Sequence, residues 1–314
     1  MKRRSRHRRG YVLVATLGLL VLASTLLVTT GRLAVRHALL ARQNQEELQR
    51  RWGAISARNA ILPYAEQILA RAEATDNHPR PLYRATVQLG ADSFELIVAD
   101  EQAKANINTV LEQTDKSAAE ARLHDAISGS GLGNAISLHP EPLQSMLPSG
   151  SRGQPSGPPP PQQWISGWGQ VFDNLALPAL IEGPNPATSN FTCWGSGATN
   201  IIRAGAPALR AVGGSLTQLD VSRLIDARNA AWDVRSKLLP TGGQTSVNSS
   251  ADAVTRLLSA AKISPGIRAR VAMTDRSTCH SLWIIVKDRQ RRWYQFMVLD
   301  ESNVLHARTE AFFW

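Results

Sequence analysis

From Tyr11 to Gly31 the chain runs for 21 residues without a charged side chain, as YVLVATLGLLVLASTLLVTTG. At about 1.5 Å per helical residue this stretch spans roughly 30 Å, the thickness of a bilayer core. The Lys and Arg residues on its N-terminal side predict that this end stays in the cytoplasm. Arg32, Arg36 and Arg42 on the far side oppose that orientation, but the cluster before the run outweighs them. An ordinary secretory signal peptide has a shorter apolar region followed by a small-x-small cleavage site. Here Leu, Val and Thr continue to Thr30, and Thr30-Gly31 is a poor site of that kind. A plain signal anchor is the simplest alternative reading of this segment.

The segment also accounts for most of the net charge of +10. Residues 1–10, MKRRSRHRRG, hold six Lys/Arg and no acid, so the remaining chain has 29 basic against 25 acidic residues, an excess of +4. That mild excess does not describe a basic face, and no nucleic-acid partner is expected.

Beyond the apolar run, Leu48, Trp52, Ile55 and Leu62 recur near a 3.6-residue period, so the helix continues until Pro63 kinks or ends it. After Asn77-His78-Pro79 the pattern changes to strands. Residues 84–89 and 93–99 flank the turn Gly90-Ala91-Asp92, and residues 281–287 and 292–299 flank Asp288-Arg289-Gln290-Arg291. A last strand is expected over 304–312. The middle reads as helical over 118–127, 216–230 and 251–260. Within it, residues 148–163 (PSGSRGQPSGPPPPQQ) form a linker whose four successive prolines favour polyproline II. The expected organisation is a basic leader at 1–10, a membrane helix at 11–31 and its continuation at 32–75. A β-sheet follows from 76–100 and 271–314, with a mainly helical domain, 101–270, inserted between its strands. The fold class is α+β, a long N-terminal helix packed on an antiparallel sheet.

Signatures of catalysis are missing. The sequence contains no P-loop, no HExxH and no GxSxG. Gly129-Ser130-Gly131-Leu132-Gly133 lacks GxGxxG spacing and reads as a loop. His280 beside Cys279 reads as a strand residue rather than the base of a nucleophile. No DxDxDG loop occurs, and Asp220 and Asp226 read as solvated helix residues. Cys193 and Cys279 show no metal-ligand spacing; outside the cytoplasm they could form a disulfide, and two buried thiols is the other reading.

The basic leader ends in Gly10 directly before the apolar run, which resembles a prepilin-type signal. That resemblance implies cleavage after Gly10 by a prepilin peptidase, retention of the apolar helix, and Tyr11 as the first mature residue. Tyr11 departs from the usual Phe or Met. Pilins usually carry Glu at the fifth mature position, where it pairs with the neighbouring subunit's amino terminus; here it is Ala15. Lack of that Glu is similar to the minor pseudopilin K family of type II secretion systems (general secretion pathway protein K). In the same way 100–108, DEQAKANIN, resembles the family's segment ending in Asn-x-Asn, with Asp100, Asn106 and Asn108 at the turn into the helical domain. Residues 204–228 and 247–270 resemble its two helix–turn–helix units, and 193–200, CWGSGATN, departs from its second Asn-x-Asn pattern.

The resemblance implies a non-enzymatic minor pseudopilin at the tip of a pseudopilus, anchored in the inner membrane with its head in the periplasm. Its implied partners are other minor and major pseudopilins, the prepilin peptidase and secreted protein cargo. No cofactor is expected; some family members hold structural calcium, for which this sequence names no ligands. A minor pilin of a type IV pilus or DNA-uptake system is the alternative, and a signal-anchored periplasmic enzyme is a third reading.

Overall fold

A computed structural model of the protein describes residues 6–89, 92–128, 136–142, 163–173, 180–181, 186–214, 216–238, 250–268, 271–287, 292–301 and 307–313. The Pro-rich linker as far as residue 162, the Gly129–Gly133 stretch and the first five leader residues lie outside these. Two compact units divide the chain, residues 1–56 and residues 57–314.

The first unit is helical. Helix α1 covers Arg6–Ile61. Its residues from Tyr11 to Thr30 are all exposed, although nearly all are apolar. A helix that is apolar on every side has no polar face to turn to water, which suits a lipid surround. The five Ser and Thr residues between Tyr11 and Thr30 are matched to that setting. Thr16, Ser24, Thr25, Thr29 and Thr30 each donate to a carbonyl three or four residues earlier, at 2.7–2.9 Å in the shortest bond of each. Each of these five hydroxyls is therefore satisfied within the helix, as a hydrocarbon environment requires. This is a helix long and apolar enough to cross a membrane.

The second unit begins at Ala57, shortly before Pro63 interrupts the helix. A single 3-10 turn, Leu62–Tyr64, carries the proline, and the chain resumes as α2, Ala65–Asp76. Helix α2 ends at Asn77, whose left-handed backbone (φ 53°) stops it. Five strands follow: β1 Leu82–Leu89, β2 Asp92–Asp100, β3 Cys279–Lys287, β4 Arg292–Asp300 and β5 Ala307–Phe313. They lie side by side in that order, every neighbouring pair antiparallel. The fold is α+β: a long N-terminal helix, an antiparallel sheet, and a mainly helical segment between β2 and β3. The segment carries α3 Ile107–Gln113, α4 Lys116–Ile127, α5 Ala206–Val212, α6 Gln218–Leu238 and α7 Ser250–Ala260.

The sheet is covered on both faces, so central strand β3 is buried from Cys279 to Val286. Alternation sorts its residues. Trp283 and Ile285, with Ile97, Tyr294, Phe296 and Val298, face the inserted segment and share a core with Ile107, Leu123, Trp168 and Phe191. Rings run continuously through this core: Trp283 to Phe296 at 4.4 Å, Phe296 to Trp194 at 4.7 Å, and Trp194 to Trp168 at 5.1 Å. Helix α2 lies against β1, β2 and β3, with Leu62, Ala65 and Leu69 buried. A smaller core under α5–α7 gathers Leu209, Val221, Leu224, Leu257, Leu258 and Ile263.

Candidate functional site

The N-terminal site is simple in geometry. Gly10 and Tyr11 are consecutive residues of α1, and Tyr11 is 78% exposed. Ala15 lies one turn further on, also exposed. No carboxylate occurs in α1 before Glu46, so the membrane-type stretch contains no acid that would need a partner in lipid.

The head holds a second feature, a polar junction where α2, the end of β2 and the inserted segment meet. Residues 100–108, six of whose nine side chains are polar or charged, are buried without exception. Asp100 shows why this is tolerated. One of its oxygens accepts from Ala103 N–H (3.0 Å) and Ser277 Oγ (2.6 Å); the other accepts from Asn200 Nδ2 (2.9 Å) and Arg203 Nη1 (3.3 Å). Glu101 accepts from Lys104 Nζ, Ser281 Oγ and Thr192 Oγ1. Every carboxylate oxygen in this pair has a donor, the condition for burying charge.

Arg203 links the junction to α2. Its Nε and Nη2 bond Glu73 at 2.6 and 3.0 Å, and Nη1 and Nη2 bond Glu66 at 2.5 and 2.9 Å. Glu66 and Glu73 are two helical turns apart, so both project from one side of α2. His280 Nε2 on β3 lies 3.0 Å from Glu66. Burial alone would raise the Glu66 carboxyl, but the hydrogen bonds from His280 and Arg203 prevail and hold it at about 2. Burial likewise works against the Arg203 charge, and its bonds to Glu73 and Glu66 push the guanidinium above its ordinary value. One guanidinium thus fastens α2 to the sheet end and to the loop that precedes α5.

Asn106 and Asn108 serve the other side. Asn106 caps α3, its Oδ1 accepting from Asn108 N–H (2.9 Å) and Thr109 N–H (3.3 Å), while its Nδ2 donates to Trp194 O (2.9 Å). Asn108 exchanges two bonds with the Ile165 backbone, at 2.8 and 3.0 Å, and donates to Cys193 O at 3.3 Å. These two amides tie the chain leaving the sheet to the residues that follow the short strands Gln163–Trp164 and Phe191–Thr192. In the stretch 193–200, Asn200 supplies a comparable turn, its Oδ1 accepting from Ile202 N–H at 3.1 Å. Gly197, at φ +80°, sits where a Cβ would stand 2.4 Å from Thr109 Oγ1, so a side chain is excluded there. Arg228 reaches back to Ala204 O at 2.6 Å, with burial lowering its pKa. Cys193 and Cys279 are buried thiols in the same core.

Asp100, Asn106 and Asn108 stand out in the sequence as a short motif, whereas Glu66, Glu73, Lys104, Arg203 and Ser281 do not. His280 reads as a strand residue and lies in β3, but no local pattern points to its partner Glu66. A signal existed in α2, where Glu66 and Glu73 interrupt the apolar positions Ala65, Leu69 and Ala72.

One arrangement has the composition of a hydrolase triad. His139 Nε2 lies 3.2 Å from Ser137 Oγ and 2.7 Å from Asp173 Oδ1, beside an open groove of about 620 Å³ lined by Lys116, Glu141 and Gln170. Both contacts use the same ring nitrogen, whereas a relay needs one nitrogen for the nucleophile and the other for the acid. His139 and Asp173 are moreover more than half exposed. Among the described residues, no group of three or more His, Cys, Asp or Glu is placed to hold a metal ion.

No family model and no curated protein matches the chain. Among solved structures it is similar to a chain in the crystal structure of the GspK-GspI-GspJ complex from the enterotoxigenic Escherichia coli type 2 secretion system. Identity is 14% and the TM-score 0.42, over 87% of this chain and 97% of that one.

Proposed function

We propose that this chain is a minor pseudopilin of a type II secretion system, acting in assembly and tip capping of a pseudopilus for protein export. The observation that carries the reading is the N-terminal helix. An uncharged, outward-facing stretch with internally bonded hydroxyls begins directly after Gly10 and a cluster of basic residues. A prepilin peptidase would cut after Gly10 on the cytoplasmic side and leave Tyr11 as the amino terminus. The helix would then remain in the inner membrane with the head in the periplasm. Ala15 supports the tip position, because a subunit with none before it has no amino terminus to pair with and needs no acid in lipid. The work is binding: the membrane helix packs with other minor and major pseudopilins, and the head meets partners or secreted cargo.

N-terminal sequencing of the membrane-extracted protein tests this. The expected first residue is Tyr11. A chain still beginning at Met1 in a host with active prepilin peptidase overturns the reading.

A further inference from the structure

Cys193 and Cys279 are the two cysteines of the chain. They are 2% and 0% exposed and share the core between sheet and inserted segment. Their neighbours converge three times. Thr192, adjacent to Cys193, and Ser281, on the same face of β3 as Cys279, both donate to the Glu101 carboxylate. Gln102 accepts from Thr278 N–H at 2.6 Å and donates to Ser196 Oγ at 2.7 Å, joining the residue before Cys279 to the loop after Cys193. Gly195 packs on Cys279 directly: a Cβ there would stand 3.4 Å from Cys279 Cβ and 3.7 Å from its Sγ.

We propose that Cys193 and Cys279 form an intramolecular disulfide in the exported protein, stapling the loop after residues 191–192 to the start of β3. The inference rests on the reading that puts the head outside the cytoplasm, where disulfides persist. The oxidant is a protein disulfide of that compartment. One cysteine thiolate attacks a sulfur of that disulfide, forming a mixed disulfide and releasing one donor thiolate. The second cysteine then attacks the mixed disulfide and releases the other. The two cysteines lose two electrons and two protons, and the oxidant, its own S–S bond broken, takes them up and leaves as a dithiol. Burial, with Glu101 and Asp300 nearby, raises the Cys279 thiol well above its ordinary value, so little thiolate exists once the core is closed. Exchange therefore precedes closure of the core, and the finished bond is structural rather than reactive. It closes a loop that contains α5, α6 and α7, restricting the unfolded chain.

The test is intact-mass analysis of the full chain extracted from membranes, denatured without reductant and treated with iodoacetamide. No label before reduction and two labels after it are expected, and reduction should lower the thermal midpoint by roughly 5–10 °C. Cys193→Ser and Cys279→Ser should each accept one label without reduction. Two labels on the unreduced protein, or a reducible dimer, overturn the proposal. A second arm separates this from the functional reading. If the chain keeps Met1 and its head resists protease added from outside, the functional reading fails. The full chain refolded in detergent with oxidised glutathione still tests the pairing: formation of the bond supports it, and two persistent thiols overturn it.

Discussion

Two stretches of this chain reverse the usual distribution of polarity. Tyr11–Thr30 is almost wholly apolar and exposed along its length; residues 100–108, DEQAKANIN, are mostly polar and buried along theirs. Each is stable because its polar groups are satisfied locally or by fixed partners. The helix turns its hydroxyls back onto its own carbonyls. In the junction, Asp100 and Glu101 draw donors from five residues distant in sequence from them: Thr192, Asn200, Arg203, Ser277 and Ser281. The first solution tolerates many side chains; the second tolerates few. A pair of buried charges contributes little net stability once desolvation is counted, but removal of one partner strands the other.

The contrast can be broken from either side. Arg203→Met should have the largest effect, because it leaves Glu73 and Asp100 buried without their cation. A loss of about 3–5 kcal/mol is expected in denaturant unfolding of the full chain in detergent. Arg203→Lys should recover only part, since a single ammonium cannot hold the forked contacts to Glu66 and Glu73. On the other side, Val21→Lys places a charge at the centre of the apolar stretch. It should cost about 2.5–3.5 kcal/mol of insertion, read as protein lost from the membrane fraction. Unchanged recovery would show that the stretch is not held in lipid.

Smaller effects sharpen the comparison. Asn108→Ala removes two bonds to Ile165 and one to Cys193 O, and should cost about 2 kcal/mol, measured by the same unfolding. The smallest effect is on acid stability. Glu66 is held at about 2 against an ordinary 4.5. A depressed carboxyl contributes stability that is complete above its unfolded value and lost as pH falls through its folded one. The stability gap between wild type and Glu66→Gln should therefore be constant above pH 4.5 and close toward pH 2. Half exposure of the Glu66 side chain keeps that gap modest. A gap that does not change with pH would remove Glu66 from the charged network.

Much of the fold was legible because it is written in local pattern. The apolar run, strands β1 and β2, and strands β3 and β4 follow from runs and alternation within ten residues. Pro63 marked the interruption between α1 and α2, though the helix resumes after one turn. Asp100, Asn106 and Asn108 were legible as a short motif. The rest of the junction was not, because Glu66, Asp100, Arg203 and His280 are single residues separated by tens to hundreds of positions, and no local period relates them. What gathers them is the sheet order, in which β3 returns beside β2 after the whole inserted segment.

That return has a temporal meaning. A chain made N-terminus first presents Glu66, Glu73, Asp100 and Glu101 well before their partners exist. Glu101 waits 180 residues for Ser281, and Glu66 waits 214 for His280. At about 5–20 residues per second, this is a delay of roughly 10–40 s. During it, the first hairpin has no β3 beside it, and its acids must stay hydrated. The head therefore closes late and from its C-terminal side, and a chain halted before β3 would hold its first two strands open to any other unpaired edge.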